Sequence, residues 1–288
     1  PRGVETRHAQ VCRGGRLTAV REWMPEIRKH IRVALFFMRG HLAAQMEYRA
    51  NFVTGIAMEI GYLLVKLMYA FVIYRSGTSV MGLSPDEVLL FTGIFVMMTG
   101  IYAGLIMMNL FALRHLIRDG TLDLYITKPV SLQFMITMRR SDFGLLLVDG
   151  IAGLAIIVVA LVRLGSAFSL WRLFGFAGYM VAGGMAAYGL FVLPNLLGFW
   201  FPGTDIATFT DPFWDFNSMP MGIYNRAVQD IGMIVLPIFL VTNFPALYLM
   251  DKLTPAMAIW GMVAPLLLLV LTRVVFKRAI RRYESASG

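Results

Sequence analysis

The chain is short of charge and almost without cysteine. Charged residues make up 15% of its 288 positions, against about 25% in soluble domains. The single cysteine, Cys12, excludes a disulfide framework within the chain. No G-x-x-x-x-G-K-[ST] phosphate loop is present, and the pairs Gly14-Gly15 and Gly183-Gly184 lack the lysine that such a loop needs. HExxH, CxxC and GxSxG are missing too, so the sequence offers no zinc-peptidase, dithiol or nucleophile-elbow chemistry. The four histidines (His8, His30, His41 and His115) lie far apart and form no metal-ligand spacing. No internal repeat or low-complexity tract occurs. The period-2 alternation of an outer-membrane barrel is also lacking.

What fills the chain instead is apolar. Hydrophobic residues reach 58% and mean hydropathy is +0.68. Several runs of about 20 apolar residues make it an all-α, polytopic helical membrane protein. Its formal charge of +9 is unevenly spread, with 20 of the 26 Lys/Arg near the two ends or in one central loop. That bias marks the cytoplasmic side of a membrane protein and suits anionic lipid, so no nucleic-acid partner is read from it.

Residues 1–24 are polar, carry no apolar h-region, and read as a poorly ordered N-terminal extension rather than a signal peptide. From Pro25 to Arg49, basic residues alternate with apolar ones at helical period, which predicts an interfacial helix along the headgroups (residues 25–50). Spans are expected at about Phe52–Tyr74, Val88–Ala112, Phe143–Val162, Leu173–Phe201 and Ala256–Phe276. Ser84-Pro85-Asp86-Glu87 is a helix start, and Gly100 and Gly104 form a small-xxx-small pair suited to close helix approach. Pro194 predicts a kink. Trp171, Trp200, Trp214 and Trp260 fall near expected span ends, as interface anchors do. Residues 204–224 are ambiguous. Hydropathy treats them as a loop and makes Ile231–Met250 the fifth span. Either treatment gives six spans with both ends on the cytoplasmic side.

Two groups of residues carry possible function. The first is the loop Leu113–Arg140, with Arg114, Arg118, Lys128, Arg139 and Arg140 beside a stripe of Leu113, Leu116, Ile117, Leu122 and Leu124. Gly120 is placed to end its first helix. A basic, structured cytoplasmic loop of this kind reads either as a solvated connection or as a docking surface for a partner. The second is the set of ionisable residues inside the spans. Glu59 and Lys66 share one face of the first span, and Asp149 lies within the third. Such residues face protein or water rather than lipid, as an ion relay or as a structural pairing.

Three stretches then resemble a known family. They are Ala43–Phe52, then Leu116–Asp123 with Lys128-Pro129 and Gln133-Phe134, and Arg281–Ser287. Together they resemble the membrane subunit of type-2 ABC exporters, the six-span kind without its own ATPase, over about Ile27–Ser287. The resemblance implies a permease that works with cytoplasmic ABC ATPase subunits, which would hold the ATP and Mg, and with a second permease chain. It implies a coupling segment (113–140) with Arg114, Leu116, Ile117, Arg118, Asp119, Gly120, Leu122 and Asp123 at the ATPase. It implies that residues 25–50 form the elbow helix, that Ile206–Ile223 is span five, and that 226–250 is an outer re-entrant segment. Glu59, Lys66, Asp149, Asp211 and Asp215 would line the substrate path or dimer interface. A bacterial inner-membrane location follows. The alternative is a stand-alone ion-coupled carrier or a membrane assembly scaffold.

Overall fold

A computed structural model describes residues 8–76, 79, 82–128, 130–166, 169–201, 204 and 207–283, with side chains from Arg28 onward save those of residues 73, 74, 207 and 208. Pro129, Asp205, Ile206 and residues 1–7 and 284–287, on which some expectations above fall, lie outside this description. The described residues form helices and turns, with no β-strand.

Six long helices organise the chain: α1 His8–Glu47, α2 Arg49–Ser76, α3 Pro85–Arg118, α4 Phe143–Arg163, α5 Leu170–Phe199 and α6 Pro255–Arg282. Among the described residues, five helices (α2 to α6) are long and apolar enough to cross a membrane. The helical backbone of α1 begins at His8, ahead of the expected start at Pro25.

α3 is the centre of the bundle. About two-thirds of its apolar window is buried (67%), against 11% for α2 on the rim. The start of α3 is a capping box: Glu87 N–H donates to the Ser84 hydroxyl (3.3 Å), and Ser84 N–H donates to the Glu87 carboxylate (2.8 Å). Small residues then bring α3 against α4. A Cβ on Gly93 would stand 2.9 Å from the Ile157 nitrogen, one on Gly153 2.7 Å from the Met97 nitrogen, and one on Gly100 2.7 Å from the Asp149 Cβ. Helix backbones this close gain dispersion and lose little side-chain entropy, which is how helices associate where burial from water supplies no drive.

The bundle has two distinct ends. At one, Lys252 Nζ lies 2.6 Å from Glu87, Arg163 lies 3.8 Å from Asp86, and Arg172 pairs with Asp251. At the other lie the close of α3, residues 138–142, the close of α5 and Tyr283, with the Leu122 amide donating to the Tyr283 hydroxyl at 3.1 Å. Arg28, Lys29, Arg32, Arg39, Arg118, Lys128, Arg139, Arg140, Lys277, Arg278, Arg281 and Arg282 all belong to this second end, which the charge rule makes cytoplasmic.

The stretch between α5 and α6 corrects both readings of span five. Ile206–Ile223 is not one helix: a turn at Ala207–Thr210 tightens into a 3-10 segment at Asp211–Ser218, followed by another at Met221–Ile223. Pro212 and Pro220 lack the N–H an α-helix would use there. Ile231–Met250 fails as a continuous span as well. Helical turns at Arg226–Asp230 and Ile231–Val235 stop at Leu236-Pro237, and the chain resumes as Asn243–Leu249. These short pieces return the chain from the cytoplasmic end of α5 to the opposite end, where α6 starts. Polar side chains satisfy the irregular backbone: Thr242 Oγ1 donates to the Asn217 carbonyl (3.2 Å), and Met221 N–H donates to Asn243 Oδ1 (2.7 Å). Trp214 is no interface anchor. Its ring stacks on Tyr102 at 4.0 Å, against the middle of α3.

Candidate functional site: a braced cytoplasmic turn and an intramembrane charge cluster

The turn after α3 is built by Gly120, whose φ of +66° is a left-handed conformation that favours glycine. Gly120 N–H donates to the Ile117 carbonyl (3.4 Å) and Thr121 N–H to the Leu116 carbonyl (3.1 Å), the paired closure of a Schellman motif. The chain then dips inward to bury Leu122 completely and comes out again. Short helices follow at Asp123–Ile126 and Leu132–Thr137.

This geometry sorts the expected coupling residues. Arg118 and Asp119 are exposed and paired with each other at 3.2 Å, and Arg118 also meets His115. Leu116 and Asp123 are partly exposed. Ile117 (8% exposed) and Leu122 (0%), both expected at the ATPase, face the protein's own core instead. Arg114 is also committed inward, reaching Asn195 at 3.4 Å and lying over the Phe111 ring. The apolar side chains that do project are Leu124 and Ile126, at 67% and 47% exposure. Ile126 was not among the expected coupling residues. Lys128 is exposed beside them.

The short helix after the turn, Leu132–Thr137, is braced from three sides. Gln133 donates to the Tyr188 hydroxyl of α5 (3.0 Å) and accepts from Arg273 of α6 (2.8 Å). His30 of α1 meets the Phe134 ring edge-on at 5.1 Å. Gln45, near the end of α1, accepts from Phe143 N–H at 3.3 Å. His41 lies near Arg139 and Arg140, and burial, then the charges of Arg140 and Arg139, hold its imidazole below the usual histidine range.

The return to α4 hangs on a residue the sequence reading missed. Asn109, 1% exposed on α3, donates to the Arg140 carbonyl (2.7 Å) and accepts from the Arg140 N–H (2.8 Å). Just before it, residues Tyr102–Met107 widen into a π-helical turn, and the Gly104 carbonyl accepts from Asp142 N–H at 2.8 Å. Asp142 in turn caps α4 by accepting from Gly144 and Leu145. A lone asparagine in an apolar run was the available signal. Asn109→Leu should lower stability by about 1–3 kcal/mol, because both hydrogen bonds to the Arg140 backbone are lost. A thermal melt that matches wild type would remove Asn109 from this role.

The second group comes together only in part. Lys66 Nζ of α2 lies 3.3 Å from Asp149 Oδ2 of α4 and 3.6 Å from Glu59 Oε1 of α2. Asp149 is fully buried. Asp211 and Asp215 do not join them. They lie exposed on the 3-10 segment after α5.

Several apolar helices crossing one bundle, with basic groups gathered at one end, define a multi-pass membrane protein. A sequence profile for the ABC-2 family transporter proteins matches residues 60–287, and the chain belongs to that family. It is therefore a membrane permease component of an ABC transporter. No curated protein and no solved structure matches the chain.

Proposed function

We propose that this chain is the permease subunit of an ATP-driven exporter and docks a separate cytoplasmic ATPase through the turn at residues 115–128. The observation that carries this reading is the display of His115, Arg118, Asp119, Leu124, Ile126 and Lys128 on a turn whose Leu122 amide bonds the Tyr283 hydroxyl just after α6, and which leads into the Leu132–Thr137 helix, tied to α1, α5 and α6 through Gln133 and Phe134. Apolar tips flanked by charge suit a partner groove, with the charges setting register. The ties to α5 and α6 give any motion of the turn a route into the bundle. The partner ATPase holds the ATP and Mg, and a second permease chain, identical or similar, completes the path. α1, with exposed Arg28, Arg32 and Arg39 among exposed Ile31, Leu35 and Phe36, rests on the inner leaflet as an elbow. The location that fits is a bacterial inner membrane.

The test is co-purification from the native host, with ATPase activity measured on the complex. Arg118→Glu combined with Asp119→Lys should cut the associated ATPase activity at least roughly tenfold, a loss of about 1.4 kcal/mol in docking. Expression should be unchanged, because both side chains are more than half exposed. Undiminished ATPase recovery with the double variant would overturn the docking surface. A permease that purifies alone would favour the ion-coupled carrier, to which the Glu59–Lys66–Asp149 cluster lends its only support.

A further inference from the structure

The charge cluster between α2 and α4 does not balance. Glu59 and Asp149 are two carboxylates, and Lys66 is the one cation within reach of both. The side chains of Asp149, Glu59 and Lys66 are 0%, 11% and 20% exposed, so water screens the cluster poorly. With all three groups ionised, one negative charge would stand uncompensated in the apolar part of the bundle, where an unpaired charge is strongly disfavoured.

Among the described residues, no helix packed on the cluster supplies a second cation. α2 carries no other Lys, Arg or His between Arg49 and Arg75, and its tyrosines there bring no positive charge. α4 has no charged residue besides Asp149 between Phe143 and Val162. α3 has none between Val88 and Leu113. Its contributions here are the Phe95 ring, 5.8 Å from Lys66 Nζ, and the Gly100 backbone against Asp149. Its one titratable group in that stretch, Tyr102, stacks on Trp214. The second oxygen of Asp149, Oδ1, is buried with no hydrogen-bond partner. An ionised carboxylate in that state is unfavourable, and a protonated one much less so.

We propose that the cluster is a proton-binding site in which Glu59 and Asp149 together hold one proton at neutral pH beside the Lys66 ammonium. The proton comes from water at the partly exposed Lys66–Glu59 edge. Its binding turns one carboxylate into a carboxylic acid and brings the cluster to zero net charge. When the proton leaves, one negative charge is left without solvent or partner, and parting α2 from α4 to admit water relieves that cost, so proton occupancy sets how firmly the rim helix is held to the centre.

The test needs neither an ATPase nor a transported substrate, so its outcome is independent of the exporter reading. The full-length protein in detergent is melted by tryptophan fluorescence from pH 6 to pH 9, beside Glu59→Gln and Asp149→Asn. The folded cluster holds one more proton than the unfolded chain, in which both carboxylates are ionised, so this contribution to stability falls as pH rises. Wild type should lose about 4 °C relative to Glu59→Gln across this range. Infrared spectra at pH 7 should show a protonated carboxylic C=O band in wild type that both variants lack. Two other results would overturn the proposal. One is a Glu59→Gln deficit that is equal at every pH with no such band in wild type. The other is a wild-type melt that rises with sodium at fixed pH, which would make the ligand a metal cation. Should one variant fail to fold, the infrared band in the other still decides.

Discussion

Gly153→Leu should sharply destabilise the folded bundle, whereas Gly150→Leu on the same helix should be tolerated. The two glycines lie one turn apart on α4, and hydropathy treats them alike. A Cβ on Gly153 would stand 2.7 Å from both the Met97 nitrogen and the Met97 Cβ, and 2.8 Å from the Gly93 carbonyl oxygen. Two of these are backbone atoms of α3, so no rotamer change relieves the clash and the helices must part. The opposing position gives the reciprocal result, since a Cβ on Gly93 would meet the Ile157 nitrogen at 2.9 Å. A Cβ on Gly150 meets nothing within 4 Å. Overpacking against backbone costs about 3 kcal/mol, a shift of roughly a hundredfold in the folded fraction. Because α3 is the centre of the bundle, that cost falls on every other helix. Size-exclusion profiles of the two variants in detergent give the measurement. A monodisperse Gly153→Leu peak of wild-type height would remove the glycine seam from this account.

The span positions were legible because apolar runs and capping signals are local. Ser84 and Pro85 start α3 where the sequence places a helix start, and the ends of α4 and α5 fall within a few residues of expectation. Glu59, Lys66 and Asp149 were legible for the same reason, since any charge inside an apolar run stands out. Which apolar residues of the cytoplasmic turn face outward was not. A stripe drawn through Leu116, Ile117, Leu122 and Leu124 assumes one helical phase, but the left-handed Gly120 resets that phase. Leu122 therefore turns inward, on the same side as Ile117 of α3, while Leu124 and Ile126 turn outward. The stretch after α5 was misread because length and hydropathy assume a continuous helix. There, Pro212 and Pro220 break the ladder, and Asn217, Thr242 and Asn243 supply its partners from distant positions. Pairings such as Asn109 with Arg140 are also invisible to periodicity, because they are fixed only once the chain has turned back on itself.

On the docking reading proposed above, Gly120→Val should lower recovery of the partner ATPase while leaving the bundle assembled. At φ +66°, an L side chain costs about 1–2 kcal/mol, and a β-branched one sits at the unfavourable extreme. The chain can escape that strain only by turning differently after Asp119, which breaks the two closing bonds to Ile117 and Leu116. Leu122 then leaves its buried site and its amide loses the Tyr283 hydroxyl. Leu124 and Ile126 are carried away from the positions in which they project. None of these atoms belongs to the α3–α4 seam, so the bundle stays assembled and membrane insertion is unchanged, while melting falls by what unburying Leu122 costs, about 1.5–3 kcal/mol. Asparagine enters the left-handed region far more readily than valine, so Gly120→Asn should keep most of the partner. The expected pattern is a drop of about tenfold or more in ATPase recovered with Gly120→Val, a loss of some 1.4 kcal/mol or more in docking, and near-normal recovery with Gly120→Asn. Equal recovery with both variants would mean that the shape of this turn does not govern docking. Equal loss with both, at unchanged melting, would mean that the glycine is needed for close approach of the partner backbone rather than for its left-handed turn.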